Sequence, residues 1–191
     1  MTLTFYTNPM SRGQIARWAL HEAGAEYEQV LLDYGTTMKG DDYLAINPMG
    51  KVPAIVHDGK TITECAGICT YLAEAFPYSG LAPNTDERAA YYRWFFFTAG
   101  PVEAAITHKS MGFVVEAEKE MMAGYGNFDR VIDVLDQKLS QDDYVCGDRF
   151  TMADVYVGSQ IDWGLQFGTV PERDSFHAYA GRLRNREAYQ A

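Results

Sequence analysis

Residues 47–65 read NPMGKVPAIVHDGKTITEC, and the fold turns on them. His57-Asp58-Gly59-Lys60 lies between two β-prone runs, Val52 to Val56 and Thr61 to Thr63. Asp-Gly between two such runs is a strong hairpin signal. Pro53 stands at the head of the first run, where the loss of one ladder donor is tolerated. Glu64 and Cys65 then open a helix that runs to Phe76 and is closed by Pro77. The first amides of such a helix lack intrahelical acceptors and carry the positive end of its dipole, so a carboxylate is favoured there. The plain alternative for Glu64 is a first-turn acid that complements that dipole.

Upstream, Leu3 to Tyr6 is a short strand. Ser11 to Gly24 reads as a helix, with Ile15, Trp18 and Ala19 on one face and Gly24 as its stop. Tyr27 to Leu32 is the next strand, and Asp41 to Ile46 a helical turn. The order β-α-β, turn, β-β-α packs as a four-stranded mixed sheet with helices on its faces. Residues 78–86 contain Ser79-Gly80 and Pro83-Asn84 and read as a linker.

Downstream the spacing is helical. One long helix runs from Asp86 through Ile106 past His108, with a kink expected at Gly100-Pro101. Further helices are expected over Glu116 to Ala123, Phe128 to Ser140, Thr151 to Gln166 and Ser175 to Tyr189. In Phe150-Thr151-Met152-Ala153-Asp154-Val155, Thr151 and Asp154 can cap each other's amides, and Phe150 and Val155 can form a hydrophobic staple. The division is therefore an α+β unit over 1–77, a linker over 78–86 and an all-helical unit over 87–191.

Bulk chemistry narrows the function. The 191 residues carry a net charge of -10, which argues against nucleic acid and anionic membrane as partners. No apolar run reaches the roughly 18 residues that a membrane span needs. The chain does not open on a basic region followed by an apolar stretch, and its three cysteines form no C-x-x-C, so a reducing, cytoplasmic setting is expected. Cys65 and Cys69 share a helix face, but two thiols alone make a poor metal site, so no metal is expected. No phosphate-binding glycine loop or dinucleotide fingerprint is present.

The ordered set Val52-Pro53, Glu64-Cys65 and the capping box at Thr151 to Asp154, on a two-part architecture, resembles the soluble glutathione transferase family. The likeness is nearest to its serine- and cysteine-type classes, of bacterial type, and runs from about Leu3 to the last residues. It implies a thioredoxin-like domain followed by a helical bundle that holds a second-substrate pocket, glutathione as co-substrate, and a homodimer to which Met49 contributes an apolar knob. It also implies a cis peptide at Pro53 that turns the backbone of Val52 toward the cysteinyl part of glutathione, a strand addition in miniature. By the same resemblance Glu64 and the next residue hold the γ-glutamyl end, and Lys51 and Lys39 face the glycine carboxylate. For both lysines an exposed, solvated charge is the plain alternative. Family members usually carry serine where this chain has Cys65; the amide survives, but a thiol is a weak donor.

The sulfur needs help. A free thiol of pKa about 8.5 is only about 3% thiolate at pH 7, and lowering that pKa by about two units takes roughly 2.7 kcal/mol. One hydrogen bond to a charged group is worth about 1.5–3 kcal/mol, so a single hydroxyl at a helix start is the right size. Ser11 sits at such a place, with an ordinary helix cap as its bland alternative. Asn8 and Tyr6 are the other candidates. His108-Lys109 is similar to the pair of the bacterial beta class, where a histidine from the helical domain reaches the sulfur. Residues 91–97 are too aromatic for a solvated face and read as core, with some lining the second-substrate pocket or the dimer contact. Two rivals stand beside a transferase attacking small hydrophobic electrophiles: a non-catalytic binding module, which Cys65 favours, and a glutathione-dependent reductase or isomerase. The latter would want a cysteine at the first helix.

Overall fold

The computed structural model describes residues 2–191, which divide into two compact units, one up to Ala82 and one from Pro83 to Gln190. Each unit is described by itself.

In the first unit the strands are β1 (Leu3–Thr7), β2 (Glu28–Leu31), β3 (Ala54–His57) and β4 (Lys60–Thr63), in the sheet order β2-β1-β3-β4. β1 runs parallel to β2 and antiparallel to β3, and β3 is antiparallel to β4. The helices are α1 (Gly13–Glu22), α2 (Asp41–Leu44) and α3 (Cys65–Ala75). The thioredoxin-like sheet expected from the sequence is therefore present. The β3–β4 hairpin turns on Asp58 (φ 47°) and Gly59 (φ 77°), both in the left-handed region. Asp enters that region more readily than most residues that carry a side chain, and its carboxylate accepts the amide of Thr2, 56 residues away in the chain, at 2.9 Å.

Period-2 alternation splits β1 between the two faces of the sheet. Phe5 is buried, in register with buried Ile55 of β3, and α1 and α3 bring Ile15, Leu20, Ile68 and Leu72 into the same unit's core. A separate cluster joins Leu32, Met38, Tyr43 and Ala54, with Tyr6 and Val52 packed against it.

The second unit is helical: α4 (Arg88–Phe97), α5 (Glu103–Ser110), α6 (Phe128–Leu139), α7 (Met152–Phe167), α8 (Asp174–Arg184) and α9 (Glu187–Gln190). Tyr91, Phe95, Ile132, Leu135, Phe176 and Tyr179 are among its buried side chains. Between α4 and α5 the residues Thr98–Val102, with Pro101 inside, form a π-helical turn. At Gly100-Pro101 the helical path thus widens into that turn and continues.

Three expectations need correction. The first helix begins at Gly13, not Ser11, because Ser11 spends its hydroxyl on the loop: it donates to the carbonyl of Asn8 at 2.6 Å and accepts the amide of Gly13 at 2.9 Å. The stretch 116–123 holds only a 3-10 turn, Ala117–Lys119; its Met121 and Met122 are exposed, so no apolar stripe is buried to pay for a helix. The last helix is broken after Arg184, with α9 separate.

The α7 capping box forms as read: Thr151 and Asp154 bond each other's amides. Asp154 does more than cap. It is fully buried and also accepts the amide of Val145 at 2.8 Å and the hydroxyl of Tyr179 at 2.8 Å.

Candidate active site

The backbone just ahead of β3 is held by two hydrogen bonds to one carbonyl. Lys51 O accepts the hydroxyl of Tyr43 at 2.6 Å and the side-chain amide of Asn47 at 2.8 Å. This pins the backbone just ahead of the Val52-Pro53 peptide, which is cis. Burial pushes the Tyr43 phenol up to about 12, so it remains a donor across the working pH range. Sequence reasoning missed both anchors; the signal was Asn47 ahead of Pro48.

Lys39 and Lys51 come to the same segment by different routes. Lys39 Nζ donates to the carbonyl of Gly50 at 2.7 Å, while the Lys51 side chain is exposed. Gly50 has φ 56°, and a Cβ there would lie 2.9 Å from Lys39 Nζ and 3.0 Å from the carbonyl oxygen of Met38. The glycine is therefore needed both for its backbone conformation and for the approach of Lys39.

At the head of α3, Glu64 adopts φ 62° and ψ 125°, a conformation that costs a side-chain-bearing residue on the order of 1–3 kcal/mol. That twist starts α3 at Cys65. Cys65 is buried, and its thiol donates to the carbonyl of Arg12 at 3.5 Å. The start of α3 thus meets the loop that carries Ser11. One turn further on, burial drives the Cys69 thiol well above the ordinary range, which makes it inert as a nucleophile.

The three candidate sulfur donors are placed differently. Ser11 is buried, with its hydroxyl between Asn8 O and Gly13 N. Both ends of the Asn8 side chain have partners: its Nδ2 donates one N–H to Leu32 O at 2.8 Å and its Oδ1 accepts the amide of Met10 at 2.9 Å. Tyr6 packs on Tyr43, ring centroids 5.5 Å apart, in the cluster around α2. Tyr34 closes the same loop by donating its hydroxyl to Met10 O at 3.0 Å.

His108 belongs to the helical unit, near the end of α5. Its Nδ1 meets the hydroxyl of Tyr125 at 2.9 Å, and its ring packs edge-on to Phe113 and Tyr125. That leaves Nε2 as the nitrogen for any ligand. Among the described residues no group of three or more His, Cys, Asp or Glu could hold a metal ion, and no helix is long and apolar enough to cross a membrane.

Comparison with known proteins gives this geometry its setting. Residues 1–74 match the family described as glutathione S-transferase, N-terminal domain, and residues 89–186 match glutathione S-transferase, C-terminal domain. Glutathione S-transferase GstA of Escherichia coli O157:H7 is 30% identical over 149 residues, which cover 75% of this chain and 73% of the relative. A glutathione transferase of Methylococcus capsulatus superposes with a TM-score of 0.80 at 28% identity, covering 99% of this chain and 96% of that one. A sphingomonad glutathione S-transferase solved in complex with glutathione gives a TM-score of 0.76 at 28% identity, over 98% and 95% of the two chains. With both units matched in order, the chain belongs to the glutathione S-transferase family and is a glutathione transferase.

Proposed function

We propose that the protein activates the thiol of glutathione for attack on small hydrophobic electrophiles, with residues 1–77 binding glutathione and residues 87–191 supplying the second-substrate pocket. The observation that supports this reading is the contact of Cys65 with Arg12 O, which sets the start of α3 beside the Ser11 loop. One end of glutathione would be held at α3: the γ-glutamyl carboxylate by the amide of Cys65, and its ammonium by Glu64. Val52 would pair its backbone with the cysteinyl residue beyond the cis Pro53. Lys51 and Lys39 would face the glycine carboxylate, Lys39 turning from Gly50 O to do so.

In this reading Ser11 donates to the sulfur. Its proton now rests on Asn8 O, so the hydroxyl rotates to the thiolate and gives up one neutral bond for a charge-assisted one, which is about twice as strong. His108 adds a second donor through Nε2, its ring held by Tyr125. The thiol proton leaves to water. The sulfur pair forms the new S–C bond, and the leaving group departs with its bonding electrons. The free thiols Cys65, Cys69 and Cys146 fit a cytoplasmic setting.

A titration of the thiolate absorbance of bound glutathione tests the reading. Ser11→Ala should raise the bound thiol pKa by about one to two units, roughly 1.4–2.7 kcal/mol, with glutathione affinity little changed. His108→Ala should shift it less. Movement with Tyr6→Phe or Asn8→Ala, and none with Ser11→Ala, would transfer the role to one of those residues. A wild-type thiol with no depressed pKa would leave the binding-module reading, which Cys65 favours because its thiol points at Arg12 O.

A further inference from the structure

The helical unit holds a cavity of about 330 Å³ between the end of α5 and the start of α6. Gly112, at φ 75°, turns the chain after α5, and the amide of Phe113 bonds back to His108 O at 2.8 Å. The chain then runs along the cavity through Phe113 and Val115 and returns along it through Tyr125 and Phe128. Its walls are therefore largely aromatic and aliphatic.

At the exposed edge of this cavity stands one cation. Lys109, one helical turn after Ala105, lines the cavity with its ammonium 3.6 Å from the centroid of the Phe128 ring. Among the described residues it makes no salt bridge. That is notable in a chain with 26 acidic residues against 16 lysines and arginines, where Lys119, Lys138, Arg149 and Arg184 each sit on a carboxylate. Asp129 also lines the cavity but is exposed and lies beyond pairing distance of Lys109. A ring face gives a cation about 0.5–1 kcal/mol at an accessible site, whereas a hydrogen bond to an anion is worth about 1.5–3 kcal/mol. An incoming acid would therefore win the ammonium from Phe128 and leave that ring face for a ligand ring. The volume is at the lower end of the roughly 300–1,000 Å³ range of small-molecule pockets and suits one substituted ring. Asp129 at the rim disfavours a second acidic group.

We propose that this cavity binds a small aromatic ligand carrying a single acidic group, its ring against Phe113, Tyr125 and Phe128 and its acid on Lys109. That the ligand is the electrophile rests on the transferase reading above; the binding chemistry does not.

Calorimetric titration of the full-length protein with para-nitrobenzoate and with neutral nitrobenzene tests it. Wild type should bind the acid at least about tenfold more tightly, a difference of about 1.4 kcal/mol. Lys109→Met should abolish the preference and change nitrobenzene affinity less than about twofold, and Lys109→Arg should keep the preference. No preference in wild type, or a preference that survives Lys109→Met, overturns the proposal. Inhibition of chlorodinitrobenzene conjugation by para-nitrobenzoate then identifies the source: competitive inhibition makes the ligand the electrophile, and non-competitive inhibition makes it a separate effector, both through the same Lys109 chemistry. Normal conjugation with no para-nitrobenzoate binding would sink the cavity and leave the transferase. Lys109-dependent binding with no depressed thiol pKa would do the reverse.

Discussion

Asp154→Ala removes an acceptor on which the amides of Val145 and Thr151 and the hydroxyls of Tyr179 and Thr151 converge at 2.8–3.1 Å. After the change the Thr151 hydroxyl keeps a neighbour in Cys146 Sγ at 3.6 Å, but the two amides and the phenol lose their partner. Each buried group left unsatisfied costs about 1–3 kcal/mol. Relief of a desolvated carboxyl, and water entering the space left, offset part of that. The net loss should be about 3–5 kcal/mol, above the roughly 0.5–2 kcal/mol of an ordinary helix cap. In a chain of this length that lowers the melting temperature by about 6–20 °C. Tyr179→Phe breaks one of the four bonds and should cost about 1–1.5 kcal/mol. Urea denaturation followed by circular dichroism measures both. If Asp154→Ala cost less than about 1.5 kcal/mol, or no more than Tyr179→Phe, the convergence would not be what holds this corner of the helical unit.

Glu87 accepts two bonds from the Arg149 guanidinium, which holds its carboxyl below the ordinary 4.5. Its contribution is therefore complete above pH 4.5 and is lost as pH falls through the depressed value; Glu87→Gln should flatten the acid limb of a plot of melting temperature against pH. Gly164→Ala would set a Cβ 2.6 Å from Val170 Cγ2, and this overpacking should cost about 1–3 kcal/mol, seen as a lower urea midpoint, although alanine is the better helix former. The homodimer we read from family membership, with Met49 69% exposed as the knob, should give twice the chain mass by light scattering at micromolar concentration; Met49→Asp should lower it.

The sheet was legible because its signals are local: Asp58-Gly59 can hardly sit elsewhere than in a tight turn, and the α7 box is written in four residues. The start of α1 was misread for a related reason. Serine before a helix suggests a cap, and Ser11 Oγ does accept the amide of Gly13, but its proton serves the turn in front, on Asn8 O. The stretch 116–123 looks helical by composition, but a helix also needs a face to bury, which no window of sequence reports. At the candidate site Val52, Pro53, Glu64 and Cys65 could be named because family resemblance carries them. Tyr43 and Tyr125 could not, since each acts through a partner 8 or 17 residues away.

The π-helical turn at Thr98–Val102 has a consequence for phase. One extra residue in a regular α-helical path would advance everything beyond it by about 100° around the axis, and the wider turn takes up that residue instead. A helical wheel drawn straight through residues 88–110 therefore points His108 and Lys109 at the wrong bearing relative to Tyr91 and Phe95. Deleting one residue of the turn would let it close to an α-helical one and keep the end of the helix at its bearing, whereas straightening the turn with all its residues retained would swing that end around the axis. A helix of the same residue count without the turn would present the same His-Lys pair to a different neighbour.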